Sequence, residues 1–265
     1  MMKQIIKIAL ALALVVGISA CNGAGATPAK SETKLQSIVT KGELVLGTSG
    51  NMTPMTRSIN DGKDAVGFDI DLAQSLADTM GVKLTIKILP LDKLVNAVAT
   101  GEVDIVISNL TMTPQRNTEV LFAGPYITSG KCLVTQVPDL ATASKEQLNK
   151  AQNKMAVTKG STSEEFVKVA MPNVQAVAVN TQEEAITMIR NHEVAAFLSE
   201  YPVCKAIINN NPNDKFVSVF TNLTYDPIGI AVAPENTHLL NYTQNFLVRA
   251  EHVGLLKVLA DKWFK

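Results

Sequence analysis

The spacing of apolar and polar positions in this chain alternates between strand and helix periods. Residues 35–39 are spaced for a short helix. Residues 44–48 form an apolar run after the turn residue Gly42 and read as a first strand. Residues 49–55 follow as a loop at that strand's carboxyl end, where α/β sheets place ligands. Asp61-Gly62 is a turn signal, and residues 65–68 return as a short strand. Ile70, Ala73, Leu76 and Ala77 then recur on one helical face, which predicts a helix from Asp69 or Asp71 to about Met80. Its two aspartates suit the positive helix end and are not read as a catalytic pair. Residues 84–88 alternate as a strand, residues 91–100 form a helix stopped by Gly101, and residues 104–108 form a β-branched strand. Thr113-Pro114 reads as an N-cap and a first helical position, which puts Arg116 on the first turn of a helix.

The second half repeats this logic. Strands are expected at 131–135, 155–158, 174–179 and 194–198, with return strands at 216–224 and 228–232. A polar helix is expected within 139–152, beginning near Ser144. Thr162 with Glu165, and Thr181 with Glu184, have capping-box spacing and open two further helices. Terminal helices are expected at 237–251 and 255–264. Strand and helix in alternation predict an α/β protein with mainly parallel sheets covered on both faces.

Composition narrows the function. At 46% hydrophobic and 18% charged, 265 residues can bury one or two cores. Residues 1–20 hold two lysines and no acid, so the remainder has 22 basic against 24 acidic residues, a net of −2. That balance offers no nucleic-acid surface. Lys3 and Lys7 precede an apolar run at 8–18 that is too short for a membrane span, so residues 1–20 read as a signal peptide. Ile18-Ser-Ala-Cys21 resembles a bacterial lipobox, which would make Cys21 the lipid-bearing first residue; the alternative is an ordinary signal peptide cut nearby. Residues 21–34 read as a flexible, lipid-anchored tether. Export permits a disulfide between Cys132 and Cys204, and two small buried thiols remain the other reading.

Asn109-Leu-Thr-Met-Thr-Pro-Gln-Arg116 is the stretch around which the rest is organised. A strand ends, a hydroxyl-rich loop follows, and a planar five-donor guanidinium arrives beside free backbone N–H groups, a good carboxylate receptor. The stretch resembles the ligand-binding loop of the bacterial extracellular solute-binding proteins of the amino-acid type, the type 3 family of ABC-transporter receptors. Four further stretches fit that pattern in order: Gly42-Glu-Leu-Val-Leu-Gly-Thr48, Gly67-Phe-Asp-Ile-Asp-Leu-Ala73, Phe122-Ala-Gly-Pro-Tyr126 and Asp261-Lys-Trp-Phe264. The resemblance implies a two-lobed type II periplasmic binding protein with mixed, mainly parallel sheets and a two-strand hinge. Lobe one would comprise residues 35–129 and 226–265, and lobe two residues 130–225, with crossings near 129–131 and 220–226. Arg116 would grip a ligand carboxylate with Thr111, Asn109 and Leu110 from lobe one and Gly160, Ser161 and Thr162 from lobe two. Glu200 falls where the family usually places an aspartate that receives the ligand amine. Met52, Met55 and Tyr201 would line the pocket.

The function implied is capture of an amino acid or similar small carboxylate outside the cytoplasm and its delivery to an ABC permease with separate ATPase subunits. No cofactor, no metal and no nucleic acid is expected. His192, His238 and His252 are far apart, and the chain has no H-E-x-x-H, no G-x-S-x-G and no Walker A motif. Two alternatives stay open: an enzyme on this scaffold resembling cyclohexadienyl dehydratase, with Glu200 as proton donor, and a ligand-sensing module acting through another protein.

Overall fold

The computed structural model describes residues 32–219 and 224–264; the expected signal peptide, Cys21 and most of the tether lie outside them. Thr33 opens α1 (Lys34–Lys41) with a reciprocal capping box, its hydroxyl accepting from Gln36 N while the Gln36 side chain accepts from Thr33 N. The tether expected through residue 34 is therefore ordered helix at its end. Gly42, in the left-handed region, turns the chain into β1 (Glu43–Thr48).

Residues 49–55 are not only loop. They contain β2 (Asn51–Met52), which pairs with β3 (Thr56–Ile59), and β3 pairs with β4 (Asp64–Val66) in a small antiparallel sheet. The strand expected at 65–68 ends at Val66, because Gly67 already turns the chain into α2 (Phe68–Met80). Gly67 has φ +146°, and a Cβ there would lie 2.2 Å from the Met55 carbonyl oxygen, so only glycine fits. Then come β5 (Lys83–Ile88), α3 (Leu91–Ala99), β6 (Ile105–Val106) and β7 (Leu121–Ser129). No α-helix follows Pro114. Thr113 Oγ1 accepts from Arg116 N at 3.2 Å, and a single 3₁₀ turn spans Arg116–Thr118. Arg116 therefore stands on a 3₁₀ turn rather than on the first turn of an α-helix.

The chain continues through β8 (Lys131–Thr135), α4 (Pro138–Ala141) and α5 (Lys145–Leu148). The helix expected in 139–152 is thus two short ones, the second capped by Ser144. Next are β9 (Lys154–Thr158), α6 (Thr162–Ala170), β10 (Gln175–Val179), α7 (Gln182–Arg190), β11 (Ala196–Glu200), α8 (Tyr201–Asn210) and β12 (Val217–Val219). β13 (Asp226–Val232), α9 (Thr237–His252) and α10 (Leu255–Trp263) complete the chain.

Two five-stranded mixed sheets result. The first has the order β5-β1-β6-β13-β7, with β5, β1 and β6 parallel and β13 antiparallel to both its neighbours. The second has the order β10-β9-β11-β8-β12, with β10, β9 and β11 parallel and β8 antiparallel to β11 and β12. Only Gly130 separates β7 of the first sheet from β8 of the second, and β13 brings the chain back beside β7 with Asp226 opposite Ser129. One apolar core packs α2 and α9 on the first sheet, with Leu44, Phe68, Leu72 and Leu239 at its centre. A second runs from Leu94 and Val106 beside the first sheet to Phe197 and Ile207 beside the second. Cys132 in β8 and Cys204 in α8 form a disulfide, 72 residues apart in sequence.

Candidate functional site

The carboxyl ends of β6 and β11 and the start of β8 converge between the two sheets. The loop after β6 is held from behind. Asn109 adopts φ +48°, and its N–H donates to Asp69 Oδ2 at 2.6 Å. Tyr126 Oη donates to Asp69 Oδ1 at 2.8 Å. Asp69 is fully buried at the start of α2, and burial pushes its carboxyl up to about 7 against the opposing effect of those two donors. The Leu110 carbonyl accepts from Gly229 N, and Met112 N donates to Pro227 O, so the loop is stitched to the return strand β13.

Arg116 reaches back over this loop and across to the second sheet. Its guanidinium donates to Thr111 O at 2.8 Å and to Gly160 O at 3.1 Å. Burial lowers its pKa, while Glu165 and Glu200 act the other way; the group remains a cation. Thr111 Oγ1 and Thr162 Oγ1 meet at 3.3 Å from opposite sides.

The loop before α6 differs from expectation. Ser161, not Thr162, caps the helix: Ser161 Oγ accepts from Glu164 N at 3.2 Å. Gly160 N donates to Glu164 Oε2 at 2.8 Å, and Ser161 N to Thr158 O. The Gly160 and Ser161 groups assigned to a ligand carboxylate are thus already used in closing the turn. Thr162, released from capping, turns its hydroxyl to Thr111 and Lys131 instead. In the same way the Asn109 N–H and the Leu110 carbonyl, expected to serve a ligand, serve Asp69 and Gly229.

Glu200 ends β11 and is buried with a full set of donors. Oε1 accepts from Lys131 Nζ at 2.8 Å and Ser163 Oγ at 3.2 Å. Oε2 accepts from Asn109 Nδ2 at 3.3 Å and Ser199 Oγ at 3.2 Å. Burial alone would raise its pKa, but Lys131 and the two serines hold it below the usual carboxylate range. Lys131 is the residue that sequence reasoning missed. Its side chain is 1% exposed, and its ammonium also contacts Asp226 Oδ2 at 3.0 Å and Thr162 Oγ1 at 2.7 Å. Burial would lower its pKa, and Glu200 and Asp226 more than offset this, so it is raised. One signal was available: a lysine heading an otherwise apolar strand that lies wholly inside.

Of the expected wall residues, Met52 is buried with its sulfur 3.9 Å from Asn109 Nδ2. Met55 is fully enclosed in the first core, because its backbone anchors the start of α2 and carries the side chain inward. Tyr201 is 44% exposed and lines a different cavity of about 410 Å³ behind the hinge, with Ile127, Tyr225 and Phe264. Tyr201 opens α8 on the surface, whereas Glu200 just before it is buried at the end of β11. A cavity of about 370 Å³ reaches the polar cluster from the side, bounded by Thr111, Lys131, Thr162, Phe166 and Asp226. Among the described residues no group of three or more His, Cys, Asp or Glu side chains is disposed to hold a metal.

The comparisons with known proteins agree with this architecture. The chain is 26% identical over 224 residues to ABC transporter arginine-binding protein 1 of Escherichia coli (strain K12), covering 82% of this chain and 89% of that one. It is 26% identical over 266 residues to the L-cystine-binding protein TcyJ of the same organism, covering 99% and 95%. Cyclohexadienyl dehydratase of Pseudomonas aeruginosa is also similar, at 24% over 245 residues, covering 91% and 90%. Among solved structures, the ancestral amino acid-binding protein AncCDT-1, a precursor of cyclohexadienyl dehydratase, superposes with a TM-score of 0.81 at 32% identity, covering 88% of this chain and all of that one. The model of the bacterial extracellular solute-binding proteins, family 3, matches residues 44–265, and the chain belongs to that family.

Proposed function

We propose that this protein is a non-catalytic receptor that captures an amino acid between its two lobes outside the cytoplasm and hands it to an ABC permease. The observation that carries the reading is the placement of Arg116, a half-buried cation that stands on one lobe and touches the other. A ligand carboxylate inserted there replaces the Gly160 carbonyl as its partner and exchanges a bond to a neutral acceptor for a stronger, bidentate ion pair. Thr111 and Thr162 add hydroxyl donors from either side. Asn109 supports an amine subsite. Its Nδ2 faces two acceptors, Glu200 and Met52, so the amide orientation is fixed, and its buried Oδ1 has no partner. A ligand ammonium beside Glu200 satisfies that oxygen. Because ligand contacts are made from both lobes, binding biases the protein toward the closed arrangement. The family is extracellular, and the lipobox-like Ile18-Ser-Ala-Cys21 supports attachment to a bacterial membrane through a lipid on Cys21.

The dehydratase relative keeps an enzymatic reading in view. Glu200 argues against it, since an acid held ionised by a buried lysine is a poor proton donor at neutral pH. A thermal-shift screen of the mature chain against amino acids and their deaminated counterparts tests the proposal, because a ligand of the folded state raises the apparent stability. Stabilisation by an α-amino acid with no product formed is the expected result. Turnover of prephenate or arogenate, or stabilisation by amine-free acids alone, overturns it.

A further inference from the structure

Lys131 is bound more completely than a pairing lysine requires. An ammonium has three donors, and here each has its own acceptor: Glu200 Oε1 at 2.8 Å, Asp226 Oδ2 at 3.0 Å and Thr162 Oγ1 at 2.7 Å. The side chain is placed by the sheet itself. Lys131 stands opposite Glu200 in the β8–β11 ladder, so both project on the same face. Its backbone N–H donates to Thr224 Oγ1, which in turn donates to Asp226 Oδ2. The cation is therefore fixed where the hinge meets the cleft, and it also determines how Thr162 presents itself. Thr162 Oγ1 accepts from Lys131 and lies 3.3 Å from Thr111 Oγ1, which holds the hydroxyl at the cleft.

We propose that Lys131 sets the charge of the ligand, so that the cleft takes α-amino acids of zero net charge and rejects basic and acidic ones. The inference rests on the receptor reading above. The charges at the site are two cations, half-buried Arg116 and buried Lys131, and two buried carboxylates, Glu200 and Asp226, which sum to zero. Asp69 lies behind the loop, where its acid form persists to about pH 7, and Glu165 is exposed to solvent that screens it. A zwitterion leaves the sum unchanged. A basic amino acid adds a second positive charge with no further carboxylate to offset it, since Glu200 and Asp226 already balance Arg116 and Lys131. An acidic one adds an unmatched negative charge. Either leaves an uncompensated charge in a site that closure dries.

The test is calorimetric titration of the mature chain with two pairs matched in shape and differing in charge, L-citrulline with L-arginine and L-glutamine with L-glutamate, and then with the remaining amino acids. The expected result is a neutral member at least about tenfold tighter than its charged partner. Lys131→Met makes the sum −1 and should move the citrulline-to-arginine preference toward arginine by about tenfold or more. Asp226→Asn makes the sum +1 and should move the glutamine-to-glutamate preference toward glutamate. It keeps the shape of the side chain, so it stands as the readout if Lys131→Met does not fold. A purely structural lysine would not give shifts of opposite sign. Binding of arginine or glutamate as tight as that of the neutral partner, with ratios unmoved in the variants, overturns the inference and leaves the receptor reading intact. Absence of binding by any amino acid overturns both.

Discussion

Asp69 shows how much one buried residue can govern. It lies at 0% exposure and holds the Asn109 N–H and the Tyr126 hydroxyl at once. Its carboxyl is raised from 3.8 to about 7, so the folded state binds that proton more tightly than the unfolded chain does. The stabilisation linked to it is complete below about pH 4 and is lost as pH rises toward 7, with an upper limit of roughly 4 kcal/mol. Asp69→Asn should remove that slope. Chemical denaturation of both proteins at pH 4, 5.5 and 7 checks this; equal slopes would show that Asp69 titrates alike in both states. Gly160 offers a second prediction at this scale. It sits at φ +73°, and a Cβ there would lie 2.8 Å from Asp92 Cα at the start of α3. Gly160→Ala adds left-handed strain of about 1 kcal/mol and keeps the lobes from meeting. Ligand affinity should fall by about tenfold or more while the unliganded melting temperature changes by only a few degrees, as titration and calorimetric scanning would show.

At the scale of elements, the disulfide joins the strand β8 and the helix α8 close to the Lys131–Glu200 pair. Cys132 follows Lys131 in β8, and Cys204 sits in α8 just after Glu200. A crosslink over a long loop typically contributes 2–5 kcal/mol, mainly by restricting the unfolded chain. Replacing both cysteines by serine should lower the unfolding free energy by an amount in that range, measured in urea, and a loss below about 0.5 kcal/mol would show that the bridge adds little. Element order was largely readable from the sequence, because turn residues and apolar periods coincide: Gly42 before β1, Gly101 after α3, Ser144 and Thr181 as caps. Misses occurred where local signals compete. Ser161 and Thr162 are both good caps one residue apart, and sequence cannot choose between them. β3 is short and polar, so alternation is hardly visible. In the site, Arg116 and the loop at 109–111 were legible because they are contiguous. Lys131 was not, because its partners Glu200 and Asp226 lie 69 and 95 positions away, and only the folded sheet brings them together.

The described residues form two five-stranded sheets joined at adjacent strands and a small antiparallel sheet, with polar contacts that bridge the cleft. Besides Arg116 to Gly160, Asn51 Nδ2 donates to Asn180 O, and Lys159 pairs with Asp92 at 3.0 Å. The Lys159 pair is partly exposed and worth little by itself, so on the receptor reading proposed above the centre of the cleft contributes more to closure than its rim. Scattering in solution should therefore show a smaller radius of gyration on adding a bound amino acid, and an unchanged radius at saturating ligand would count against a clamp. The central claim is that Arg116 is the anchor for a ligand carboxylate, and calorimetric titration of Arg116→Ala beside the unaltered chain, using the amino acid that binds best, tests it most directly. Loss of a buried charge pair costs about 3 kcal/mol or more, so the account predicts one site per chain and an affinity at least about a hundredfold weaker in the variant. A variant that folds and binds the same amino acid as tightly as the unaltered chain would contradict it.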